Sequence, residues 1–118
     1  MKHNDQFWKE MELLIQTSSI SVDRPKHSTH PRYPEMIYPL DYGYLENTTA
    51  SDGDGIDVWL GSTNTKTLTG ILCTFDKLER DAEIKFLLGC SPNDMDKILD
   101  FYNEGMSVLY IPKPIDTQ

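Results

Sequence analysis

Residues 52–58 read Asp52-Gly53-Asp54-Gly55-Ile56-Asp57-Val58, a run that places three carboxylates within six residues. The two glycines allow the backbone to turn tightly enough for these carboxylates to converge. Carboxylates that crowd together raise one another's pKa values unless a cation lies between them. An all-oxygen ligand set suits a hard ion such as Mg²⁺, which usually meets a phosphate on its open side. The run therefore predicts a metal-dependent phosphate site.

A tyrosine-rich segment lies upstream of the acidic run and reads Tyr38-Pro39-Leu40-Asp41-Tyr42-Gly43-Tyr44. Its phenol hydroxyls can hydrogen-bond phosphate or carboxylate oxygens. On the other side, residues 56–60 are mostly apolar and predict a strand that would hold Asp57 on a rigid element. Short aspartate–glycine runs alone are commoner in surface turns than in binding sites. These two neighbouring features favour a site here.

A calcium loop of the EF-hand type is the main competing interpretation of the acidic run. That loop needs oxygen ligands at positions one, three and five, glycine at position six and glutamate at position twelve. Counted from Asp52, position five is Ile56, position six is Asp57 and position twelve is Thr63. The EF-hand interpretation therefore fails.

The composition predicts one soluble globular domain over residues 1–118, with 38% hydrophobic and 25% charged residues. A net charge of −8 argues against a nucleic-acid or anionic-membrane partner, because both would repel the chain. The apolar run at 13–15 is short and flanked by polar residues, which predicts neither a signal peptide nor a membrane span. Cys73 and Cys90 lie far apart beside apolar residues. We expect two buried, reduced thiols and a cytoplasmic location.

Periodicity and breaker residues predict a mainly β domain with a helix at each end. An N-terminal helix is expected at 5–17 and a short strand at 20–23, whereas the four prolines between 25 and 39 exclude regular helix there. Further strands are expected at 56–61, 67–75, 82–89 and 106–111.

The C-terminal helix has a strong predicted start at Ser91-Pro92-Asn93-Asp94, with a serine cap, proline in the first turn and an acid three residues after the cap. Gly105 should end this helix, and 112–118 should form a frayed tail. The expected layout is a helix at 5–17, a small, mainly antiparallel barrel at 20–90, and a helix and strand at 91–111.

Basic residues cluster before the acidic run, although the chain as a whole is acidic. Five of them fall within nine residues: Arg24, Lys26, His27, His30 and Arg32. A cationic arm beside an anionic pocket suits a ligand that is an anion carried with a metal ion. The simpler interpretation of the cluster alone is a solvated basic loop.

The combined pattern resembles the soluble family I inorganic pyrophosphatases. The acidic run is similar to that family's metal-binding motif, Asp-Gly-Asp-Pro-hydrophobic-Asp-Val, and the tyrosine-rich segment is similar to the one that leads into it. Residues 22–26 resemble the family's acid-x-Pro-Lys strand, with aspartate in place of glutamate. Asp76 and Asp81 have the spacing of its second acid pair. The resemblance extends over roughly residues 20–90.

This resemblance implies a function, a fold and a role for each site residue. It implies Mg²⁺-dependent hydrolysis of inorganic diphosphate, with Mn²⁺ as a possible substitute, on a small five-stranded barrel of the oligonucleotide/oligosaccharide-binding type, commonly in a homo-oligomer. Direct metal ligands would be Asp52, Asp57 and Asp81, with Asp76 holding substrate-borne metal and Asp23 acting through bound waters. Asp54 would orient or deprotonate the attacking water, and the phosphates would be held by Tyr42, Lys26, Arg32 and Tyr38.

Several positions depart from the family pattern. Glu83 stands where the family has a phosphate-binding lysine, and Lys85 is expected to point to the same strand face and to bind substrate instead. Arg32 is not in unambiguous register with the family's arginine, and the segment 101–104 lacks a lysine that the family carries. Gly55 replaces a proline, which should loosen the turn.

Two functional classes follow from this pattern, in which the acids of the family motif are present and two of its lysines are missing. The first is an enzyme that hydrolyses inorganic diphosphate or another phosphoanhydride. The second is a non-catalytic module that binds metal and phosphate. The complete set of aspartates, including Asp54 as the candidate base, favours the enzyme.

Overall fold

The computed structural model describes residues 2–102 and 105–115, which form mainly β structure. The elements in chain order are α1 (Lys2–Gln16), β1 (Ile20–Arg24), β2 (Asp41–Leu45), β3 (Ile56–Leu60), β4 (Leu68–Asp76), β5 (Asp81–Leu88), α2 (Pro92–Phe101) and β6 (Met106–Pro112). The predicted mainly β class with flanking helices is confirmed.

The strands form one six-stranded sheet in the order β1-β2-β3-β5-β4-β6. Neighbouring strands are antiparallel except β3 and β5, which run parallel. Within the described residues, β1 and β6 do not pair, so the sheet is open. In this part of the chain the sheet has six strands where five were expected and is not closed, but the architecture is consistent with the expected oligonucleotide/oligosaccharide-binding type. The C-terminal segment pairs along β4 as a sixth strand and forms one edge of the sheet.

Most predicted elements lie within a few residues of their observed bounds, but β2 is a strand that the sequence did not indicate. Its centre is Gly43, a residue that normally weakens strands. A side chain at this position would collide with the backbone carbonyl of Ser21 on β1, so only glycine lets the two strands approach. The Pro25–Pro39 segment contains no helix, as expected, and a single bridge between Thr29 and Ile37 ties it into a hairpin-like loop.

Two apolar clusters cover the two faces of the sheet. The first lies under α1 and contains Trp8, Ile15, Leu45, Val58, Leu68, Ile71, Phe86 and Leu88. The second lies under α2 and contains Tyr38, Leu40, Trp59, Leu72, Leu87, Met95, Ile98 and Phe101. Successive residues of β3, β4 and β5 alternate between the clusters, as period-two geometry requires. Asp57 and Lys85 therefore share the α2 face with Trp59 and Leu87 and extend that face towards solvent.

Helix α2 begins at the predicted capping box. The Ser91 hydroxyl accepts from the Asp94 amide, while Asp94 Oδ2 accepts from the Ser91 amide at 2.9 Å and from the amide and hydroxyl of Ser62 at 2.8 and 2.9 Å. The helix ends at Phe101, before the expected stop at Gly105, and residues 103–104 lie outside the described residues. Asp94 is 1% exposed, and its hydrogen bonds with Ser62 tie α2 to the turn after β3.

Replacing Asp94 with asparagine should lower the free energy of unfolding at pH 7 by about 1–3 kcal/mol, because three hydrogen bonds lose their charged acceptor. Burial raises the pKa of Asp94, but the hydrogen bonds from Ser62 and Ser91 outweigh it and leave the pKa lowered. The stabilisation is therefore present above the unfolded pKa of about 3.9 and is lost as pH falls through the lower folded pKa.

Urea unfolding of the wild type and of Asp94→Asn, at pH 7 and at pH 2–3, measures this difference in the free energy of unfolding. Asp96→Asn, on the exposed face of α2, is the charge-matched control. We expect the difference in the free energy of unfolding between the wild type and Asp94→Asn to be smaller at the lower pH. Equal stability of the two chains at pH 7 would contradict the assigned role of the cap.

Both cysteines are free but only partly buried, which corrects the expectation of two buried thiols. Burial raises the pKa of Cys90 to about 12, and the nearby Asp94 carboxylate adds to the rise. The described part of the chain contains no helix with the length and apolar character needed to cross a membrane. Residues 116–118 of the predicted tail lie outside the described residues.

Candidate active site

A cleft opens at the end of the sheet face that α2 covers. One part has a volume of about 570 Å³ and a second part about 670 Å³, and six residues line both parts: His30, Arg32, Tyr38, Tyr42, Asp52 and Asp57. Strands β2, β3 and β5 supply one wall and the 30–38 loop supplies another. The acidic loop at 52–55 contributes Asp52, Asp54 and Gly55 to the lining of the second part.

The cleft brings together nine of the eleven site residues that the sequence suggested. They are Asp23, Arg32, Tyr38, Tyr42, Asp52, Asp54, Asp57, Asp76 and Lys85. Lys26 and Asp81 line neither part. The amide of Lys26 donates to Asp41 at 2.7 Å, and Asp81 pairs with Asp76 across the β4–β5 hairpin. The roles suggested for these eleven residues remain predictions.

Three side chains from three strands form a hydrogen-bonded triad in the wall. The Tyr42 hydroxyl donates to Asp57 Oδ2 at 2.6 Å. The Lys85 ammonium donates to the Tyr42 oxygen at 2.7 Å and to the same Asp57 oxygen at 3.1 Å. Glu83 Oε2 lies 3.6 Å from Lys85 Nζ, which confirms that Glu83 and Lys85 share one strand face. The parallel register of β3 and β5, with Val58 opposite Phe86, places Asp57 beside Lys85.

Burial and charge fix the protonation of this triad. Burial lowers the pKa of Lys85, but the oxygens of Tyr102, Asp57 and Glu83 outweigh it and leave the pKa raised. Burial raises the pKa of Tyr42 well above its usual range, with Tyr102 and Asp57 adding to the rise. At neutral pH Lys85 is therefore an ammonium and Tyr42 a neutral phenol.

An aromatic cluster packs against Tyr42, one member of the triad. The ring of Tyr42 packs edge-on against Trp59 with centroids 4.8 Å apart, and Tyr38 packs against Phe101 at 4.7 Å. The indole of Trp59 donates to the Tyr102 hydroxyl at 3.2 Å. Neither Trp59 nor Tyr102 was among the site residues that the sequence suggested. The aromatic spacing along the chain carries no signal that these rings meet.

The acidic loop is a tight turn held by its own backbone. Asp52 Oδ1 accepts from the Asp54 amide at 3.0 Å, and the Ala50 amide donates to the Asp54 carbonyl at 2.6 Å. Gly55 lies so close to Tyr44 that a Cβ would come within 2.7 Å of its ring. A side chain at 55 would therefore require the Tyr44 ring to shift, and the expected loosening of the turn stays a prediction.

The remaining walls carry one more anchored acid and the basic loop. Asp76 Oδ1 accepts from the amides of Leu78 and Glu79 at 2.9 and 3.0 Å. Arg32 lies 3.6 Å from Glu79, and both side chains are mostly exposed, so this ion pair contributes little. Burial lowers the pKa of His30, and Arg24 and Arg32 add to the effect, so the imidazole is neutral at pH 7.

The donor set of the cleft fits a hard divalent cation. Across residues 2–102 and 105–115, no three Asp, Glu, His or Cys side chains stand close enough together to hold a metal ion as they lie. Nevertheless, Asp52 and Asp54 are exposed, and Oδ1 of Asp57 accepts none of the hydrogen bonds formed by the described residues. Burial raises the pKa of Glu83, and Asp52 and Asp57 raise it further although Lys85 opposes them. A cation would relieve this crowding.

The fold and the cleft together define a small mainly β domain with an acidic, tyrosine-lined site. A sequence model of the inorganic pyrophosphatase family matches residues 8–84, which is more than half of the chain. The chain belongs to the inorganic pyrophosphatase family. This finding confirms the resemblance carried by the acidic run and the tyrosine-rich segment.

Short segments of the chain are similar to curated proteins of the same family. A segment of 32 residues is 53% identical to the inorganic pyrophosphatase of Geobacillus stearothermophilus and covers 27% of this chain and 19% of that protein. The same values hold for the inorganic pyrophosphatase of Bacillus sp. strain PS3. A segment of 26 residues is 58% identical to the one from Halalkalibacterium halodurans, covering 22% of this chain. The matched segments span less than a fifth of these relatives.

Proposed function

We propose that the chain hydrolyses inorganic diphosphate to two phosphates with a bound divalent metal ion, Mg²⁺ or alternatively Mn²⁺. The observation that carries this proposal is that all three acids of the acidic run, Asp52, Asp54 and Asp57, line one cavity with Tyr42. Carboxylate oxygens favour hard ions of this kind over Zn²⁺. The curated relatives are named inorganic pyrophosphatases, which supports diphosphate as the substrate.

The metal would be held by Asp52 and Asp57, with Asp76 and Asp23 as further oxygen donors in the cleft walls. Asp81, which lines neither part of the cleft, would have to turn towards it to serve as the direct ligand that the sequence suggested. A divalent ion bound there lowers the pKa of water and polarises phosphoryl oxygens. Asp54 is exposed in the cavity wall, and its carboxylate is available to accept the proton of the attacking water. Proton acceptance is the step assigned to Asp54.

The substrate phosphates would be held from the basic side of the cleft. The guanidinium of Arg32 lines the cleft and is only weakly paired, so it can give two parallel hydrogen bonds to a phosphate group. The Tyr38 hydroxyl is a further donor in the same wall. Lys26 would have to move its side chain to the cleft to take part.

A second candidate function is the binding of metal and phosphate without turnover, or the hydrolysis of a different phosphoanhydride. The observation that favours it is Glu83, which puts a negative charge in the wall of the cleft beside Asp52 and Asp57. A like charge there weakens binding of a free polyanion. Diphosphate therefore has to arrive with its charge neutralised by metal.

Removal of metal is the first prediction for this function. Phosphate release from inorganic diphosphate should require Mg²⁺ or Mn²⁺ and should stop when a chelator is added, because the wall of the cleft is predominantly acidic. A colorimetric phosphate assay with each metal, with chelator, and with metal restored after chelation measures this dependence.

Calorimetric titration with diphosphate separates the alternatives. Binding that needs metal but gives no phosphate release would favour the non-catalytic module or another phosphoanhydride. Release that persists in chelator would contradict a metal-dependent reaction. We further propose a cytoplasmic location and a homo-oligomer, which cell fractionation and light scattering would test.

A further inference from the structure

Lys85 is the most deeply buried charged group in the wall of the cleft. Its side chain is 7% exposed, whereas that of Asp57 is 27% exposed. A buried ammonium persists only where oxygen atoms replace its hydration. The surroundings of Lys85 therefore show which groups its charge serves.

Oxygens of Tyr42, Asp57 and Glu83 surround the Lys85 ammonium. An ammonium has three N–H donors. Two go to the Tyr42 oxygen and to Asp57 Oδ2, at 2.7 and 3.1 Å, and Glu83 Oε2 lies 3.6 Å away on the third side. A substrate phosphate near this ammonium would have to compete with these oxygens for its N–H donors.

The hydrogen bonds of the triad also divide the two oxygens of Asp57. Both Tyr42 and Lys85 donate to Oδ2, and neither donates to Oδ1. A carboxylate with one oxygen held by two donors has a fixed plane, and its other oxygen is left for a ligand. Outer partners of this kind orient a ligating group and hold it in position.

We propose that Lys85 is a positioning residue that fixes Asp57 and Tyr42 in the wall of the cleft and does not bind substrate phosphate. The inference rests on the proposed function, because it concerns the same site. It is an alternative to the role of substrate binder that the sequence suggested for Lys85. It also accounts for Glu83, whose charge is partly balanced by Lys85 inside the wall.

The first test is Lys85→Met, with Lys97→Met on the exposed face of α2 as the charge-matched control. We expect Mn²⁺ affinity, measured by titration without diphosphate, to fall by about 10–100-fold, and kcat to fall by a similar factor. The KM for diphosphate at saturating metal should change by less than about threefold. Lys85→Arg, which keeps a cation and its donors, should restore part of the Mn²⁺ affinity.

The direction of the change in Mn²⁺ affinity distinguishes a positioning role of Lys85 from a phosphate-binding role. Loss of a cation without loss of positioning should leave metal binding to neighbouring carboxylates unchanged or tighter. Unchanged or tighter Mn²⁺ binding in Lys85→Met, together with a KM raised tenfold or more, would overturn the proposal in favour of a phosphate-binding lysine. The titration needs no turnover, so it stands even if the wild-type chain fails to hydrolyse diphosphate.

Tyr42→Phe supplies a second, independent test, because it removes the other donor to the same Asp57 oxygen. Because both residues act through Asp57, the double variant Lys85→Met/Tyr42→Phe should lose less Mn²⁺ affinity than the product of the two single losses. Fully multiplicative losses would contradict a shared role. If Lys85→Met does not fold, as judged by circular dichroism, Lys85→Arg with Tyr42→Phe completes the cycle.

Discussion

Asp54→Asn should lower kcat for metal-dependent diphosphate hydrolysis by about 10²–10⁴-fold, the range for loss of a general base. Asparagine has nearly the same shape as aspartate but cannot accept the proton of the attacking water. The fold of the loop should persist, because Asp54 contributes to it through its backbone amide and carbonyl. Steady-state assays at saturating Mg²⁺ measure the loss in kcat.

Mn²⁺ binding distinguishes loss of the base from loss of the metal site. We expect Asp54→Asn to bind Mn²⁺ measurably, because Asp52 and Asp57 remain in the cavity. Asp96→Asn removes the same charge from the surface of α2 and should keep wild-type kcat. Full activity in Asp54→Asn would refute the role given to this carboxylate.

Asp57→Ala should abolish measurable metal binding and also destabilise the folded chain by about 3 kcal/mol. Removal of one partner from a buried ion pair costs about 3–5 kcal/mol, because the other charge is left buried without a partner. The lower end applies here, since Glu83 stays 3.6 Å from the ammonium of Lys85. Tyr42 also loses the acceptor of its hydroxyl.

Urea unfolding at pH 7 measures this cost, and a double variant identifies its origin. Asp57→Ala/Lys85→Met removes the orphaned charge together with its partner, so it should recover much of the lost stability without recovering metal binding. If the double variant were as unstable as Asp57→Ala, the cost would come from packing rather than from the stranded charge. Lys97→Met in the wild-type background controls for the change in net charge.

Much of the local structure was predictable because its signals are contiguous in the chain. Ser91 and Asp94 form the expected capping box, since both partners lie within one helical turn. The strands at 56–60, 68–76 and 81–88 follow their apolar composition. The family was also readable, because the motif at 52–58 concentrates its characteristic residues in one segment.

Pairing between distant segments was not predictable by the same means. Strand β2 has a glycine at its centre, and its pairing depends on the space beside Ser21 rather than on its own propensity. Strand β6 was expected as a strand, but its pairing with β4 at one edge of the sheet was not. Strand periodicity states which residues share a face, and it does not state which strands meet.

The sequence by itself determined the family and the set of acids and tyrosines available to the site. Only the tertiary structure decided that Lys85 turns inward to hold Asp57 and Tyr42. The three side chains are separated by 15, 28 and 43 residues along the chain, and the parallel pairing of β3 with β5 brings them together. Burial then determines these contacts, because an ammonium removed from water must donate its hydrogen bonds to the nearest oxygens.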